Sequence, residues 1–496
     1  MPEQPTEEQP QPATPPSPID DVVTTRHELV TAGGTLAYTA SAGRLVLREE
    51  TQEDGVFRGY KPKAEVFLVA YVADQGEPGQ SGPHQSRPAP RPVTFAFNGG
   101  PGSSSVWLHL GLLGPRRVVM GDVGSLAPPP YGLTDNAETL LRHSDLVFVD
   151  PVSTGYSRVV EGDKPADFHG YQRDLESVGA VIRLWTSRNG RWLSPKYLIG
   201  ESYGTLRAAA LADHLQARYG FALNGVALVS TVLDMGTLDD KPGGNDVAFV
   251  LSLPTFACLA HYHGLLGDRP LADVRADAEA FAVGDYARAL LLGHRLPADE
   301  RRDVVSRLAS LTGLRPDWIE RAGLRIASHR FFRELLRDRG LVVGRLDGRF
   351  TGWEADDAGE LATVDPSYSA ILGPYAAACN HYLNAELEYK NDLPYEVLTD
   401  RVRPWSYKEF EGRRVSVAER LAAAMRGNSH LRVQIAAGYY DGATPYFAAE
   451  HAVQHLHLPD ELRANISFRY YEAGHMMYVH ENSRVRQSED LAAFVS

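Results

Sequence analysis

The chain has 496 residues, 43% of them hydrophobic, and a formal net charge of −13 at pH 7. That length can bury a large core and exceeds one simple domain, while the acidic balance excludes a phosphate backbone as the natural partner, so no nucleic acid is expected. An apolar run of roughly 18 residues, the length a spanning helix needs, does not occur; the most apolar stretch, 247–260, is broken by Ser252, Pro254 and Thr255, and no membrane partner is expected.

In chain order, residues 1–24 read as a disordered Pro-rich tail. The first 21 hold seven prolines, five acidic residues and no Lys or Arg, which lacks both the basic start and the apolar middle of a secretory signal. Segments 28–30, 36–40, 44–48 and 65–71 alternate or run apolar between Gly-containing breaks, as the strands of an antiparallel meander do. Residues 74–92, rich in Gly, Pro, Ser and Gln, read as a loop or short linker, and 93–97 as a buried strand.

That strand ends in Asn98-Gly99-Gly100-Pro101-Gly102-Ser103-Ser104-Ser105, a turn whose glycines expose backbone N–H groups. A further strand at 146–149 closes in Asp150-Pro151, a helix follows with apolar residues spaced along 171–185, and 197–199 is again a buried strand. Next comes Gly200-Glu201-Ser202-Tyr203-Gly204, with the apolar spacing of a helix after it. Strand, tight turn and helix in that order are the setting of a nucleophile elbow, where the glycines let backbone pass closely and the serine hydroxyl is thrust above the sheet. Ser202 is the candidate nucleophile.

Strand 226–229 continues the βα rhythm, which then breaks for about 170 residues of helical patterns (271–281, 286–292, 301–311, 331–337) that read as an inserted cap. The sheet returns after helix 417–425, with strand 431–437 leading to Asp441, a helix near 447–456, and strand 466–471 leading to His475. Serine, acid and histidine in this order, the latter two on loops after late strands, match the α/β-hydrolase arrangement. The predicted fold class is therefore α/β, an α/β-hydrolase fold with a mainly parallel central sheet and an inserted helical cap: 25–235 as the first part of the catalytic domain, 236–404 as the cap, and 405–496 as the second part.

Four blocks resemble the serine carboxypeptidase family: Asn98-Gly99-Gly100-Pro101-Gly102-Ser103-Ser104, Asp150-Pro151-Val152 through Gly155-Tyr156-Ser157, the elbow around Ser202, and Ala473-Gly474-His475-Met476. The resemblance implies Ser202 as nucleophile, His475 as base and Asp441 as its partner, with the N–H groups of Gly100 and Tyr203 as oxyanion hole. It implies Asn98 and Glu201 as the pair holding the C-terminal carboxylate of a peptide substrate. Ser103 stands where many members have cysteine, and Leu112 where many have a second glutamate. The implied activity is removal of C-terminal residues from peptides through an acyl-enzyme; an esterase or acyltransferase with the same triad is the alternative.

No cofactor is expected, and no metal either, since Cys258, His261 and His263 lack a second matching pair. The chain has two cysteines, Cys258 and Cys379. A secreted framework carries more, so a cytoplasmic location is expected, with export by a route not visible in the sequence as the alternative. Two buried free thiols and one disulfide between them both remain open here, as does the oligomeric state, with a homodimer one option.

Overall fold

In the computed structural model, residues 17–74, 90–121, 123, 128–241, 243, 245–356 and 358–496 are described. The centre is one sheet built from nine principal strands in chain order: β1 (Asp21–Thr31), β2 (Gly34–Glu53), β3 (Val56–Ala73), β4 (Val93–Phe97), β5 (Asp145–Val149), β6 (Lys196–Glu201), β7 (Gly225–Val229), β8 (Arg432–Gly438) and β9 (Ile466–Tyr471). Their spatial order is β1-β2-β3-β5-β4-β6-β7-β8-β9. The first three and the β3–β5 junction are antiparallel; every pairing from β5–β4 onward is parallel. This is the α/β-hydrolase fold.

The inner strands are mostly apolar and buried because helices cover both faces. Alternate residues supply two cores. Phe95, Val147, Leu198, Leu228 and Ile435 go to one, together with helices α1 (Tyr171–Arg188) and α2 (Tyr203–Tyr219). Ala96, Phe148, Ile199, Val229 and Ala436 go to the other, with the short helical segment at 106–113. The second core also takes a late helix of the insertion and the last helix of the chain, Glu481–Val495.

Two early expectations are corrected. Segments 36–40 and 44–48 are not separate strands but parts of β2, 20 residues long. Gly43, read as a break, is needed for close approach, since a Cβ there would collide with the β1 backbone at Asp21 and Val22. The tail assignment to residue 24 also runs too far, because β1 starts at Asp21. Asp20 is already tied down, accepting from the Val46 N–H at 2.9 Å and from Arg188 at 2.6 Å. The remainder of the tail, 1–16, and 75–89 of the proposed linker lie outside the described residues.

The insertion follows β7. Its helices α3 (Val247–Tyr262), α4 (Leu271–Phe281), α5 (Ala298–Thr312) and α6 (Ser328–Glu334) enclose a third core that also takes in Tyr440 and Tyr446. A short antiparallel pair, Val342–Val343 with Thr351–Gly352, interrupts the helices. Helix α7 (Pro366–His381) leaves that core and covers the sheet instead, through Ala370, Ile371, Tyr375 and Ala378. Cys258 on α3 and Cys379 on α7 are both buried and both free, which answers the pairing question left open above. No helix among the described residues is long and apolar enough to cross a membrane.

A buried ion pair braces the sheet where β6 becomes α2. Arg207 Nε donates to Asp174 Oδ2 of α1 at 2.7 Å, and Arg207 Nη1 donates to the Asn98 carbonyl at 2.6 Å. Removing one partner leaves an uncompensated charge in the core, and such breaks cost about 3–5 kcal/mol. Arg207→Met is expected to lower the denaturant midpoint accordingly, and the double variant with Asp174→Leu to recover most of the loss; equal midpoints for wild type and single variant would show that the pair is not structural.

Candidate active site

Ser202 sits where β6 turns into α2, with φ +59° and ψ −129°. Non-glycine residues rarely adopt a positive φ, and the strain is held because three glycines let backbone cross backbone here. A Cβ on Gly200 would strike Gly204 and Thr205, one on Gly204 would strike the Phe97 and Asn98 carbonyls, and one on Gly99 would strike the Tyr203 and Gly204 amides. The Gly-rich turn after β4 is thereby pressed onto the first turn of α2. Tyr203, as the first residue of that helix, has an N–H with no intrahelical acceptor. Gly100 is at φ +101°, and both Gly100 and Tyr203 line the cavity that holds Ser202.

Asp441 and His475 come from the loops after β8 and β9. His475 Nδ1 lies 2.8 Å from Asp441 Oδ2, and because a carboxylate can only accept, the proton is on Nδ1. Asp441 is fully buried and its other positions are filled: Oδ1 accepts from the Ala443 and Thr444 N–H groups at 2.8 and 2.9 Å, and Oδ2 from Thr444 Oγ1 at 2.7 Å. Burial disfavours charge on His475. The Asp441 carboxylate, the hydrogen bond to it and the nearby Glu201 outweigh that, so the imidazole is raised above its usual range.

The backbone of His475 is fixed from two sides. Its carbonyl accepts from Ser230 Oγ at 2.6 Å, where Ser230 at the end of β7 is itself at φ +54°, and its N–H donates to the Leu346 carbonyl at 2.7 Å. Leu346 belongs to cap loop 344–350. In that loop Arg349 makes a bidentate, buried pair with Asp347 (2.9 and 2.6 Å) and donates to the Glu472 carbonyl at 3.0 Å. The Gly348 N–H donates to the Tyr440 carbonyl at 3.1 Å, and Gly474 leaves no room for a Cβ against Asp347. One cap loop therefore grips the loops of both Asp441 and His475.

Asn98 and Glu201 also meet, both buried. Asn98 Nδ2 donates to Glu201 Oε1 at 2.9 Å, while its Oδ1 accepts from the Leu108 N–H at 3.1 Å, which assigns the amide orientation. Tyr478, on the turn that follows His475, donates to Glu201 Oε2 at 2.6 Å. Burial pushes the Glu201 carboxyl up to about 7, against the opposing pull of His475 and of the hydrogen bonds from Tyr478 and Asn98. Leu112, at the position compared above with a second glutamate, is buried in the apolar core. Ser103 replaces a cysteine by a hydrogen-bonded hydroxyl, accepting from Trp107 Nε1 at 2.9 Å.

Asn98, Gly100, Glu201, Ser202, Tyr203 and His475 thus border one cavity of about 470 Å³, with Asp441 immediately behind His475. Trp107, Tyr368 and Ile371 form an apolar wall, and the exposed Arg345 of the cap loop stands at the rim. A second cavity of about 520 Å³ adjoins it through Met235, Leu238, Arg345 and Ala443 and opens toward Phe332 and Val343 of the cap. Sequence reasoning missed Ser230, Thr444, Tyr478 and the cap loop. Thr444, three residues after Asp441 in a Gly-containing turn, could have been found as a local side-chain contact. The others reach the site only through tertiary packing. His261 and His263, weighed above as ligands, instead bond to the carbonyls of Arg269 and Gly348 at 2.7 Å.

Residues 83–277 match the profile described as serine carboxypeptidase. No curated protein sequence matches the chain. Among solved structures, the chain resembles a prohormone-processing carboxypeptidase from Saccharomyces cerevisiae at 14% identity and a TM-score of 0.52, covering 92% of this chain and 90% of that one. A proline iminopeptidase from Mycobacterium smegmatis is similar at 14% identity and a TM-score of 0.36, covering 90% and 97%.

Proposed function

We propose that this chain, whose residues 83–277 match the serine carboxypeptidase profile and whose fold is that of the α/β-hydrolases, removes single residues from the C-terminal end of peptides through an acyl-enzyme on Ser202. The observation that carries this reading is a hydrogen-bonded Asn98–Glu201 pair lining the same cavity as Ser202 and His475. A triad alone makes a hydrolase. A donor pair fixed beside it selects what lies just beyond the scissile bond.

In this reading Ser202 Oγ attacks the carbonyl carbon of the last peptide bond and its proton passes to His475 Nε2. Asp441 holds the imidazole by Nδ1 and stabilises the imidazolium. Charge developing on the carbonyl oxygen is assigned to the Gly100 and Tyr203 N–H groups, backbone donors that border the same cavity. The C–N bond then breaks as His475 returns the proton to the leaving amine. Water, deprotonated by the same imidazole, releases the acyl group and restores Ser202. Until the leaving residue departs, the second Asn98 Nδ2 hydrogen and a protonated Glu201 donate to its terminal carboxylate. An ionised Glu201 would repel it, and the burial that raises this carboxyl to about 7 keeps it protonated at mildly acidic pH.

The test is a set of N-blocked dipeptides ending in free carboxylate, amide and methyl ester, with products followed by mass at about pH 5, below the point where a carboxyl raised by burial ionises. The free acid should be cleaved fastest relative to the ester. Equal cleavage of all three would instead describe an esterase or acyltransferase using the same triad.

A further inference from the structure

The oxygens of Glu201 have two fixed donors, the Asn98 amide on Oε1 and the Tyr478 phenol on Oε2. Tyr478 comes from a different element than either Asn98 or Glu201, the turn Met477–Val479 directly after His475. It is held there by shape: a Cβ on Gly111 would collide with the Tyr478 ring and with the Tyr375 hydroxyl, so the glycine in the helical segment at 106–113 is the socket for that ring. A glutamate side chain with one oxygen tethered can still swing about its last bonds. With both tethered it has one orientation.

We propose that Tyr478 is a positioning residue of the carboxylate site: by fixing the second oxygen of Glu201 it sets how strongly the enzyme prefers a substrate with a free C-terminal carboxylate over one whose end is blocked. This rests on the proposed carboxypeptidase reading and deepens it. The chemistry suits the task. A phenol hydroxyl both donates and accepts, so it can follow Glu201 through either protonation state without changing its own charge. Burial together with the adjacent Glu201 charge keeps the Tyr478 phenol protonated far into alkaline pH. Other groups acting on Glu201 are His475 and Asp441 from the loops after β9 and β8; the Tyr375 phenol on α7 in turn feels the Glu201 charge. None of these three donates to Oε2.

The variant is Tyr478→Phe, which keeps the ring that fills the Gly111 socket and removes only the hydroxyl. Free-acid and methyl-ester forms of one N-blocked dipeptide are mixed in a single tube and the two rates compared, because their ratio does not depend on how much of the variant is folded. The free-acid to ester ratio should fall roughly tenfold, the size of a lost hydrogen bond to an ionisable group. Since the phenol's donation favours the ionised carboxyl, the alkaline limb of free-acid cleavage should also move to higher pH, a shift that loss of packing would not produce. An unchanged ratio, or a limb that stays where it was, overturns the assignment of Tyr478. A wild-type protein that shows no free-acid preference would instead overturn the carboxypeptidase reading itself.

Discussion

Ser202→Ala should abolish turnover of peptide and ester alike, with kcat falling roughly a millionfold, as loss of the triad nucleophile does in a well-studied serine protease. Only the Oγ is removed, from a partly exposed residue whose backbone is fixed by Gly99, Gly200 and Gly204, so the melting temperature should stay where it was. His475→Ala should lose nearly as much, because nucleophile and base act as a unit and what remains is the work of the oxyanion hole and binding. Single-turnover kinetics on a chromogenic ester, together with labelling by a phosphonate, check this. Undiminished hydrolysis or undiminished labelling in the alanine variant would remove Ser202 from the mechanism.

Glu201 should govern the alkaline limb of free-acid cleavage. His475 must be neutral to accept a proton, and its pKa lies above the ordinary imidazole value, so activity rises with pH through that titration. Glu201 must be protonated to face a carboxylate, and it ionises at about 7. Free-acid cleavage is thus confined between the two and should fall as pH rises beyond about 7, the loss steepening toward about tenfold per pH unit, while ester cleavage, which asks nothing of Glu201, should follow His475 alone. In Glu201→Gln the side chain donates at every pH, and the free-acid profile should lose its falling limb and become parallel to that of the ester. A falling limb that survives the substitution would assign the titration to another group.

The sheet was legible in the sequence where physics leaves little choice. Inner strands covered on both faces are short, mostly apolar runs, and β4 to β8 announce themselves that way at 93–97, 146–149, 197–199, 226–229 and 431–437, with the edge strand β9 at 466–471 following the same rhythm. The same holds for Ser202, Asp441 and His475, whose order and strand-to-loop positions were readable; Ser202 and His475 border one cavity, with Asp441 behind His475. Where one face is wet and the partner strand lies close, the code weakens: Gly43 looks like a turn in isolation and is a spacer in β2. The tail boundary failed for a related reason, since residues 21–24 have no apolar pattern of their own and are ordered by pairing with 41–44. Least legible were contacts made across the fold. Nothing near Tyr478 in sequence points to Glu201, 277 positions away, and nothing in Leu346 points to His475.

The cap loop that grips the Asp441 and His475 loops bears on how such a chain can diverge. Inserted caps are the part of this architecture freest to change, since they wall the second cavity without lying in the sheet. Here, however, Leu346, Asp347, Gly348 and Arg349 hold the loops that carry Asp441 and His475, the pair assigned above to the proposed proton relay. In the proposed reading, changes to Phe332, Val343 or Arg345 that reshape the second cavity are made around a fixed strut, so that substrate range and turnover are not separately inherited traits. A cap borrowed whole from a relative would bring its own pocket but not this grip, and the recipient would gain a new appetite while losing the means to act on it.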